Sequence, residues 1–419
     1  MFGLLDCNNF YASCECVFDP ALRGRAVVVL SNNDGCVIAR SPAARAMGIK
    51  MGTPAFQLRK LIDAGTVVAR SSNYTLYGDM SARVMRLLAE IVPDVEIYSI
   101  DEAFFKIPDN ANYAELGATI ARYVTQSTGV PVSVGIGPTK TLAKVANHAA
   151  KKYPGYKRVC VIDNDEKRRR ALELTPVDDV WGIGRRHGAR LNTMGVFTAA
   201  DFARLPRARV QKLMTVTGLR TWCELNGTAC IQLEMHPADK QQICTSRSFA
   251  VMQTELADLE SAVATFAARC GAKLRAGQLV AGSVMTFLAT NRFRSDLPQC
   301  VLTCVLPMPF ATNDTRVIVS VALDALGQIY RTGFQYKKAG VIVNDITPAR
   351  NRPMDLFGAH DTAASDNLMA AIDAINTRFG KNTVRLTAEI GNQTWRPMHN
   401  MLSPNYTTDI NDIIEIHCK

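Results

Sequence analysis

Residues 1–165 alternate between short apolar runs and longer stretches in which apolar residues recur at about every third or fourth position. Short apolar runs bounded by turn residues are typical of buried strands, and the longer periodic stretches are typical of amphipathic helices. The predicted strands are GLLD, AVVVL, VEIYSI, VPVSVGIG and RVCVI, and the clearest predicted helices are SARVMRLLAEIV and KTLAKVANHAAKK. This alternation predicts an α/β domain.

The pattern changes after residue 165. Residues 166–235 are helical, basic and punctuated by glycine, and residues 236–243 are a polar stretch typical of a linker. Residues 244–345 return to strands and helices in the order expected of an α+β domain. From about residue 350 the chain is rich in Pro, Asn and Asp, with one more amphipathic helix predicted in DNLMAAIDAINTRFG. The sequence therefore predicts a multidomain protein of α/β and α+β class.

Composition narrows the class of protein. The 419 residues suffice for about two to four domains, and 47% hydrophobic with 21% charged residues is ordinary for a globular chain. No apolar run reaches transmembrane length, and MFGLLDCNNF lacks the basic start of a signal peptide. We therefore expect a cytoplasmic protein with no membrane contact.

The twelve cysteines do not predict a zinc site or a disulfide framework. Cys14 and Cys16 form C-x-C, Cys300 and Cys304 form C-x-x-x-C, and the C-x-x-C spacing of structural zinc sites does not occur. In a reducing compartment most of these cysteines are expected to be small buried hydrophobic residues.

Three acids follow or end predicted strands. Asp6 ends GLLD, and Asp101 with Glu102 follows VEIYSI. A pair of adjacent acids is usually a solvated turn. The alternative is a metal site, since carboxylates that converge from neighbouring strand ends suit Mg²⁺, and two such ions can clamp a phosphoryl transfer.

Two glycine-containing segments indicate phosphate contacts. In SVGIGPTKTLAKVANHAAKK a turn leads into a helix that carries Lys140 and Lys144 on one face, although the spacing is not that of a Walker A loop. In DVWGIGRRHG the glycines and arginines fit a helical hairpin whose bare backbone meets a DNA phosphate. The alternatives are a solvated lysine face and a purely structural hairpin. The residues predicted to contact DNA are Gly182, Gly184, Arg185 and Arg186.

These elements occur in the order known from one family. The chain closely resembles the Y-family translesion DNA polymerases, in particular the UmuC-type catalytic subunits of bacterial DNA polymerase V and their plasmid-borne relatives. The matching stretches span almost the full length and are DCNNFYASCE, VVVLSNNDGCVIAR, SSNYTLYGDMS, VEIYSIDEAF, IGPTKTLAKVANHAAKK, TPVDDVWGIGRR, TSRSF, YKKAGV and MLSPNYTT.

The resemblance implies a right-hand polymerase fold and fixes expected domain boundaries. The domains implied are a palm at 1–20 and 73–165, small fingers at 21–72, a helical thumb with a helix-hairpin-helix at 166–235, a little finger at 241–349 and a C-terminal tail at 350–419.

The resemblance also implies roles for individual residues. Asp6, Asp101 and Glu102 match the catalytic carboxylates that hold two Mg²⁺ ions, with a backbone carbonyl from Cys7. Tyr11 matches the steric gate that excludes ribonucleotides. Arg45 and Lys144 match positions that contact the incoming triphosphate, although Pro42 replaces the aromatic residue that the family usually has three residues before Arg45.

The function implied is error-prone, template-directed DNA synthesis across damaged template in SOS mutagenesis and DNA repair. The implied partners are primer-template DNA, dNTPs, a UmuD-type accessory dimer, RecA and, weakly, a sliding clamp. The clamp segment is degenerate, because Pro353 replaces the expected glutamine before Leu356 and Phe357. Two alternatives are a non-catalytic DNA-binding scaffold and another palm enzyme such as a nucleotide cyclase. The acid cluster argues against the scaffold, and the basic middle of the chain argues against the cyclase.

The basic charge generates a testable expectation. Residues 166–350 carry nine of the ten net positive charges of the chain, which suggests several phosphate contacts. About six contacts would give a slope near −5 in a plot of log affinity against log salt concentration, with little sequence preference. Fluorescence anisotropy of labelled primer-template DNA measures the slope. A nearly flat plot would assign this charge to ordinary solvated surface.

Overall fold

The computed structural model describes residues 1–109, 111–236, 239–352, 362–391 and 394–414. The chain divides into two compact units. Unit 1 contains Met1–Pro237 together with Asn400–Lys419, and unit 2 contains Ala238–His399. The predicted assignment of palm, fingers, thumb and little finger is finer than this division, and its boundaries stay a prediction.

Unit 1 is built from eight strands and ten helices among the residues described. The strands are β1 Phe2–Cys7, β2 Ala26–Leu30, β3 Val37–Arg40, β4 Val67–Ser71, β5 Val95–Ile97, β6 Glu102–Lys106, β7 Val132–Gly137 and β8 Val159–Val161. The helices are α1 Phe10–Phe18, α2 Pro42–Ala46, α3 Ala55–Asp63, α4 Tyr74–Ile91, α5 Tyr113–Thr128, α6 Lys140–Lys152, α7 Asp165–Glu173, α8 Arg185–Thr193, α9 Ala199–Ala203 and α10 Arg207–Leu225. Short 3₁₀ turns lie at Pro20–Leu22, Asn32–Asp34, Pro154–Tyr156, Val177–Asp179 and Ile410–Asp412.

The described residues of the main sheet of unit 1 form five strands in the order β5-β6-β1-β7-β8. Strands β1 and β7 are buried along their whole length, which explains why their sequences read as continuous apolar runs. Helix α6 packs against both of these strands. A second sheet of the described residues has the order β3-β2-β4 and encloses its own apolar core.

The predicted strand VEIYSI is shorter in the structure. Strand β5 ends at Ile97, and the chain turns through residues 98–101 before β6 begins at Glu102. The backbone N–H groups of Tyr98 and Ser99 both donate to the Glu102 carbonyl, at 3.0 Å each, and this closes the turn. The two acids therefore lie at a hairpin, as the solvated-turn interpretation expected, but both are partly buried rather than solvated.

Unit 2 pairs an antiparallel sheet with two long helices. Its elements are β9 Ile243–Gln253, α11 Leu256–Ala276, β10 Leu279–Thr290, β11 Val301–Thr312, α12 Thr315–Ile329, β12 Tyr336–Asn344, β13 Thr347–Pro348 and α13 Thr362–Phe379, with 3₁₀ turns at Ala349–Asn351 and Thr387–Glu389. The sheet of described residues has the order β11-β10-β12-β9, and β13 pairs with β10. Helices α11 and α12 pack on each other and on this sheet around an aromatic core that includes Phe249, Phe266 and Tyr336.

The segment predicted as one C-terminal tail has two parts. Residues 362–379 form α13 of unit 2, whereas Asn400–Lys419 belongs to unit 1. The predicted clamp-binding residues Leu356 and Phe357, with Pro353, lie outside the described residues.

No helix of the described ranges has the length and apolar character needed to cross a membrane.

The eleven cysteines within the described ranges are free thiols. Several of the cysteines, including Cys14 and Cys270, are fully buried in apolar cores. These two behave as the small hydrophobic residues that the spacing predicts.

The close approach of α6 to β7 depends on Gly135. A Cβ atom at this position would collide with the backbone of Ala143 and Asn147. We expect Gly135→Ala to lower the free energy of unfolding by on the order of 3 kcal/mol, because the helix has to move away from the strand. Urea unfolding followed by circular dichroism measures the change.

The matched control is Gly78→Ala, inside α4, where an added Cβ has no atom within 4 Å. This substitution is expected to be neutral or to stabilise by about 0.5–1 kcal/mol, since alanine is the better helix former. Equal unfolding midpoints for Gly135→Ala and wild type would contradict the close packing.

Candidate active site

The register of the central sheet brings two of the predicted carboxylates face to face. Strands β1 and β6 are antiparallel, and Asp6 lies directly opposite Glu102. Side chains that are directly opposite in such a pair project to the same face, with Cβ atoms about 4.5–5.5 Å apart. The Cys7 N–H donates to the Asp101 carbonyl over 2.8 Å, so Asp101 enters the site at the end of the same ladder.

Ser99 organises the hairpin turn that carries the acids. Its hydroxyl donates to Oδ1 of Asp101 over 2.7 Å. The same hydroxyl oxygen accepts the backbone N–H groups of Asp101 and Glu102, at 3.3 and 3.1 Å. One small polar side chain thus fixes both the Asp101 carboxylate and the turn of backbone that positions it.

Two lysines of α6 pair with the facing acids. The Lys151 ammonium forms a short ion pair with Asp6, and Lys144 donates to both carboxylate oxygens of Glu102 at 3.1 and 2.9 Å. The pKa of Asp6 is raised to about 7, mainly by burial; the nearby Glu102 contributes to the rise, and Lys151 opposes it. The positive charges of α6 therefore compensate an acid pair that is costly to bury.

A cavity of about 340 Å³ opens beside Asp6. It is lined by residues of α1, α2, α6 and β3 and by two of the three acids, and its polar and reactive side chains include Asp6, Cys7, Tyr11, Arg45, Asp101 and Lys151. Helix α2 carries Arg45 and begins with Pro42 in its first turn, where Ser41 caps the helix by accepting the Ala44 N–H. Proline suits this position, because the first turn of a helix does not need its N–H.

Lys144 does not line this cavity. Its ammonium lies over three aromatic rings, 4.6 Å from the centroid of Tyr98, 5.5 Å from that of Trp181 and 5.6 Å from that of Phe104. The Trp181 indole N–H donates to the Tyr98 hydroxyl over 3.1 Å and joins two of these rings. This placement differs from the triphosphate contact that the sequence analysis assigned to Lys144.

Lys140, the other lysine of the predicted phosphate-binding face, is buried. Its ammonium donates to Glu96 over 2.5 Å and to the Gln232 carbonyl over 3.0 Å. A side chain that is 2% exposed and already paired with a carboxylate is not available to a phosphate. For Lys140, therefore, the interpretation as a phosphate ligand is wrong, and so is the alternative of a solvated lysine.

Tyr11 borders the cavity on the side of α4. Its ring stacks on Tyr77 with 4.4 Å between centroids and an interplanar angle of 16°, and it meets Tyr74 edge-on at 6.0 Å. Burial and the neighbouring Tyr74 raise the pKa of the Tyr11 hydroxyl, which keeps it neutral. A stacked, half-buried ring has little rotational freedom and so makes a rigid wall.

The donor set suits a hard divalent cation. Asp6, Asp101 and Glu102 supply carboxylate oxygens, the ligand type that Mg²⁺ prefers. Burial raises the pKa of the Cys7 thiol far above its ordinary value, and Mg²⁺ prefers oxygen ligands, so the backbone carbonyl of Cys7 suits the role predicted for this residue better than its thiol does. In this structure, no three such side chains of the described ranges are gathered closely enough to hold a metal ion; Asp6 and Glu102 contact lysines, and Asp101 accepts the Ser99 hydroxyl.

The predicted DNA-contacting glycines form a turn in front of α8. Gly182 has φ of +91°, a backbone conformation that favours glycine, and Gly184 is the residue before the helix. Arg185 and Arg186 open the helix and are exposed. The two glycines and the two arginines thus lie together on one exposed turn at the start of α8.

Two sequence models of one family match the chain. The model described as the impB/mucB/samB family matches residues 5–148, and that of the family's C-terminal domain matches residues 240–356. Protein UmuC of Salmonella typhimurium is 42% identical over 99% of this chain and 100% of its own length. This chain belongs to the impB/mucB/samB family. A third model, a domain of unknown function, matches residues 366–416.

More distant relatives of this impB/mucB/samB protein carry the name DNA polymerase. DNA polymerase IV of Moorella thermoacetica is 27% identical over 91% of this chain and 94% of its own length. Among solved structures, a Y-family DNA polymerase chimera, Dbh-Dpo4(243-245)-Dbh, superposes with a TM-score of 0.65 at 19% identity over 83% of this chain and 99% of that one. This likeness confirms the predicted Y-family polymerase fold.

Sequence analysis of this impB/mucB/samB chain missed Lys151 and Ser99. Lys144 and Lys151 are seven residues apart, and this spacing places both on one face of a helix. That signal was available for Lys151, although it does not say which lysine reaches which acid. For Ser99 no signal was available, because its role depends on the turn at residues 98–101.

Proposed function

We propose that this protein is an error-prone, template-directed DNA polymerase that extends primers across damaged template, as part of SOS mutagenesis and DNA repair. The observation that carries the proposal is the cross-strand pair of Asp6 and Glu102, with Asp101 beside it, in a chain of the impB/mucB/samB family. Its relatives include proteins named UmuC and DNA polymerase IV, and its fold is that of the Y-family polymerases.

In this proposal Asp6, Asp101, Glu102 and the Cys7 carbonyl hold two Mg²⁺ ions. When bound, these ions supply the charge that stabilises attack of the primer 3′-hydroxyl on the α-phosphate of a dNTP. The protein's part is to hold the three carboxylates in place, and the Ser99 hydroxyl does this for Asp101. Lys144 holds Glu102 in place through a two-oxygen contact.

Lys151 and Arg45 are the proposed triphosphate ligands. Both line the cavity beside Asp6, and both are cations that suit phosphate oxygens. Lys144 is proposed instead to position Glu102, since its ammonium is already engaged by that carboxylate and by three aromatic rings. Tyr11 is the proposed steric gate, because a ring fixed by stacking at the cavity wall can crowd a sugar 2′-hydroxyl.

Primer-template DNA is the proposed macromolecular substrate. The exposed Arg185 and Arg186 at the glycine turn, and the basic excess of residues 166–350, support phosphate contacts along the duplex. On the resemblance alone, we also propose a UmuD-type dimer, RecA and a sliding clamp as partners and the cytoplasm as the compartment.

The proposal predicts the effect of Asp101→Asn. The substitution preserves shape but removes one metal-neutralising charge, and we expect primer extension with Mg²⁺ and dNTPs to fall roughly a thousandfold. Asp94→Asn, at an exposed acid near the same hairpin, is the matched control and should extend normally. Near wild-type extension by pure, folded, DNA-binding Asp101→Asn protein would refute the metal-site assignment.

Substitutions of Lys151 and Lys144 should have different effects on the kcat and KM of primer extension. Loss of a charge-assisted phosphate contact in Lys151→Ala should raise the KM for dNTP about tenfold or more. Lys144→Ala should lower kcat and leave KM within about threefold, because it disturbs Glu102 rather than the triphosphate. A raised KM in Lys144→Ala together with a lowered kcat in Lys151→Ala would instead identify Lys144 as the triphosphate ligand.

A further inference from the structure

Residues 400–414, the C-terminal segment, pack within unit 1 against helix α1 and against the junction of β4 with α4. It belongs to the region, residues 366–416, that matches a domain of unknown function. Met401 packs on the apolar core around β2–β4, and Tyr406 stacks on Phe18 with 5.0 Å between centroids. The segment thus anchors on two different cores of unit 1.

Its polar contacts are concentrated where β4 passes into α4. Ser71 and Met401 bond in both directions, with the Ser71 N–H donating to the Met401 carbonyl at 2.9 Å and the Met401 N–H donating to the Ser71 hydroxyl at 3.0 Å. The Asn73 amide, which also caps α4, donates to the Ser403 carbonyl over 3.0 Å. The Asn400 N–H donates to Asp34 over 2.9 Å. Residues 400–403 therefore hold the junction between the predicted fingers and palm.

A buried acid connects this segment to α4. Glu15 is 1% exposed, and its Oε1 accepts the Ser403 hydroxyl at 3.0 Å and the Tyr77 hydroxyl at 2.6 Å. Arg70 is more distant, at 3.9 Å from the other carboxylate oxygen. A buried carboxylate is expensive unless its hydrogen bonds are made, so Glu15 strongly favours the arrangement in which both hydroxyls reach it.

Tyr77 transmits this constraint to the cavity. Its ring is fully buried and stacks on Tyr11 at 4.4 Å, and its hydroxyl is fixed by Glu15. Burial raises the pKa of the Tyr77 hydroxyl, which therefore remains a donor. The contacts form an unbroken chain from Ser403 through Glu15 and Tyr77 to the wall of the nucleotide cavity.

We propose that the C-terminal segment is a positioning element for sugar discrimination, in which Ser403 and Glu15 fix the Tyr77 ring and thereby the Tyr11 gate. The proposal rests on the role given to Tyr11 under the proposed function. Steric exclusion of one hydroxyl depends on small displacements of the excluding ring, so loss of a contact behind that ring affects rNTPs more than dNTPs. Ser403, Glu15 and Tyr77 do not line the cavity and act only through Tyr11.

The test compares kcat/KM for an rNTP and the matching dNTP in the full-length protein. Ser403→Ala removes one donor to Glu15, and Tyr77→Phe removes the other but keeps the stacked ring. Each is expected to raise the rNTP-to-dNTP ratio about three- to tenfold, the range set by one net hydrogen bond.

Two controls match these changes. Tyr123→Phe deletes an exposed tyrosine-to-glutamate hydrogen bond, to Glu90, in the same unit, and Leu402→Ala alters an exposed neighbour of Ser403. Both should leave the ratio unchanged. If the Ser403→Ala protein does not fold, the ratio measured for Tyr77→Phe tests the proposal by itself, since this substitution removes only one buried oxygen atom.

Combination with Tyr11→Ala separates the possible failures. We expect Tyr11→Ala to raise the ratio and Ser403→Ala to add nothing further in that background. If dNTP and rNTP efficiencies fall together in Ser403→Ala and Tyr77→Phe, with the ratio unchanged, the segment is only structural and the proposal is overturned. If Tyr11→Ala itself leaves the ratio unchanged, the gate assignment fails first, and this inference fails with it.

Discussion

The pairing of β1 with β6 is the constraint on which the rest of the site depends. It sets Asp6 opposite Glu102, and a slip of one residue would send Glu102 to the other face of the sheet. The register is held by continuous burial of β1 and by the turn that Ser99 closes. Helix α6 then lies close enough to add its lysines, because Gly135 lets the helix backbone meet the strand. The sheet register, the hairpin turn and the packing of α6 together place Asp6, Glu102 and the two lysines in one small region.

The negative charge of this acid pair is compensated by groups of the protein itself. Asp6 and Glu102 would repel each other across a short distance, and burial of Asp6 makes the repulsion stronger. Lys151 and Lys144 offset it, and the aromatic rings around Lys144 hold one of these cations in place. Under the proposed function this arrangement gives the two lysines different roles: Lys151, which lines the cavity, exchanges Asp6 for a phosphate, whereas Lys144 stays with Glu102 and the surrounding rings.

Local pattern predicted a large part of this structure. The strands GLLD and VPVSVGIG and the helix that carries the lysines are found where the periodicity places them. The three acids were singled out by their positions at strand ends, but the residues alone left a solvated turn open as the alternative to a metal site. The pattern predicted the strand VEIYSI and did not show that it ends at Ile97, because the bonds to the Glu102 carbonyl and to the Ser99 hydroxyl that close the hairpin depend on the turn itself. The choice between Lys144 and Lys151 depends on how a helix is rotated and displaced over a sheet, which spacing does not encode. The return of residues 400–414 to unit 1 had no local signal, since Ser403 and Glu15 are 388 residues apart in sequence.

This long separation has a consequence for how the protein matures on the ribosome. Glu15 emerges early and is surrounded by apolar residues, yet one of its two hydroxyl partners is synthesised only after unit 2 is complete. Until then the acid is only partly satisfied, and the junction between β4 and α4 lacks the backbone bonds that close it. The last step in the assembly of unit 1 therefore follows the synthesis of unit 2. A nascent or C-terminally clipped chain would carry Asp6, Asp101 and Glu102 and still lack the contacts of Ser403 with Glu15 and Asn73.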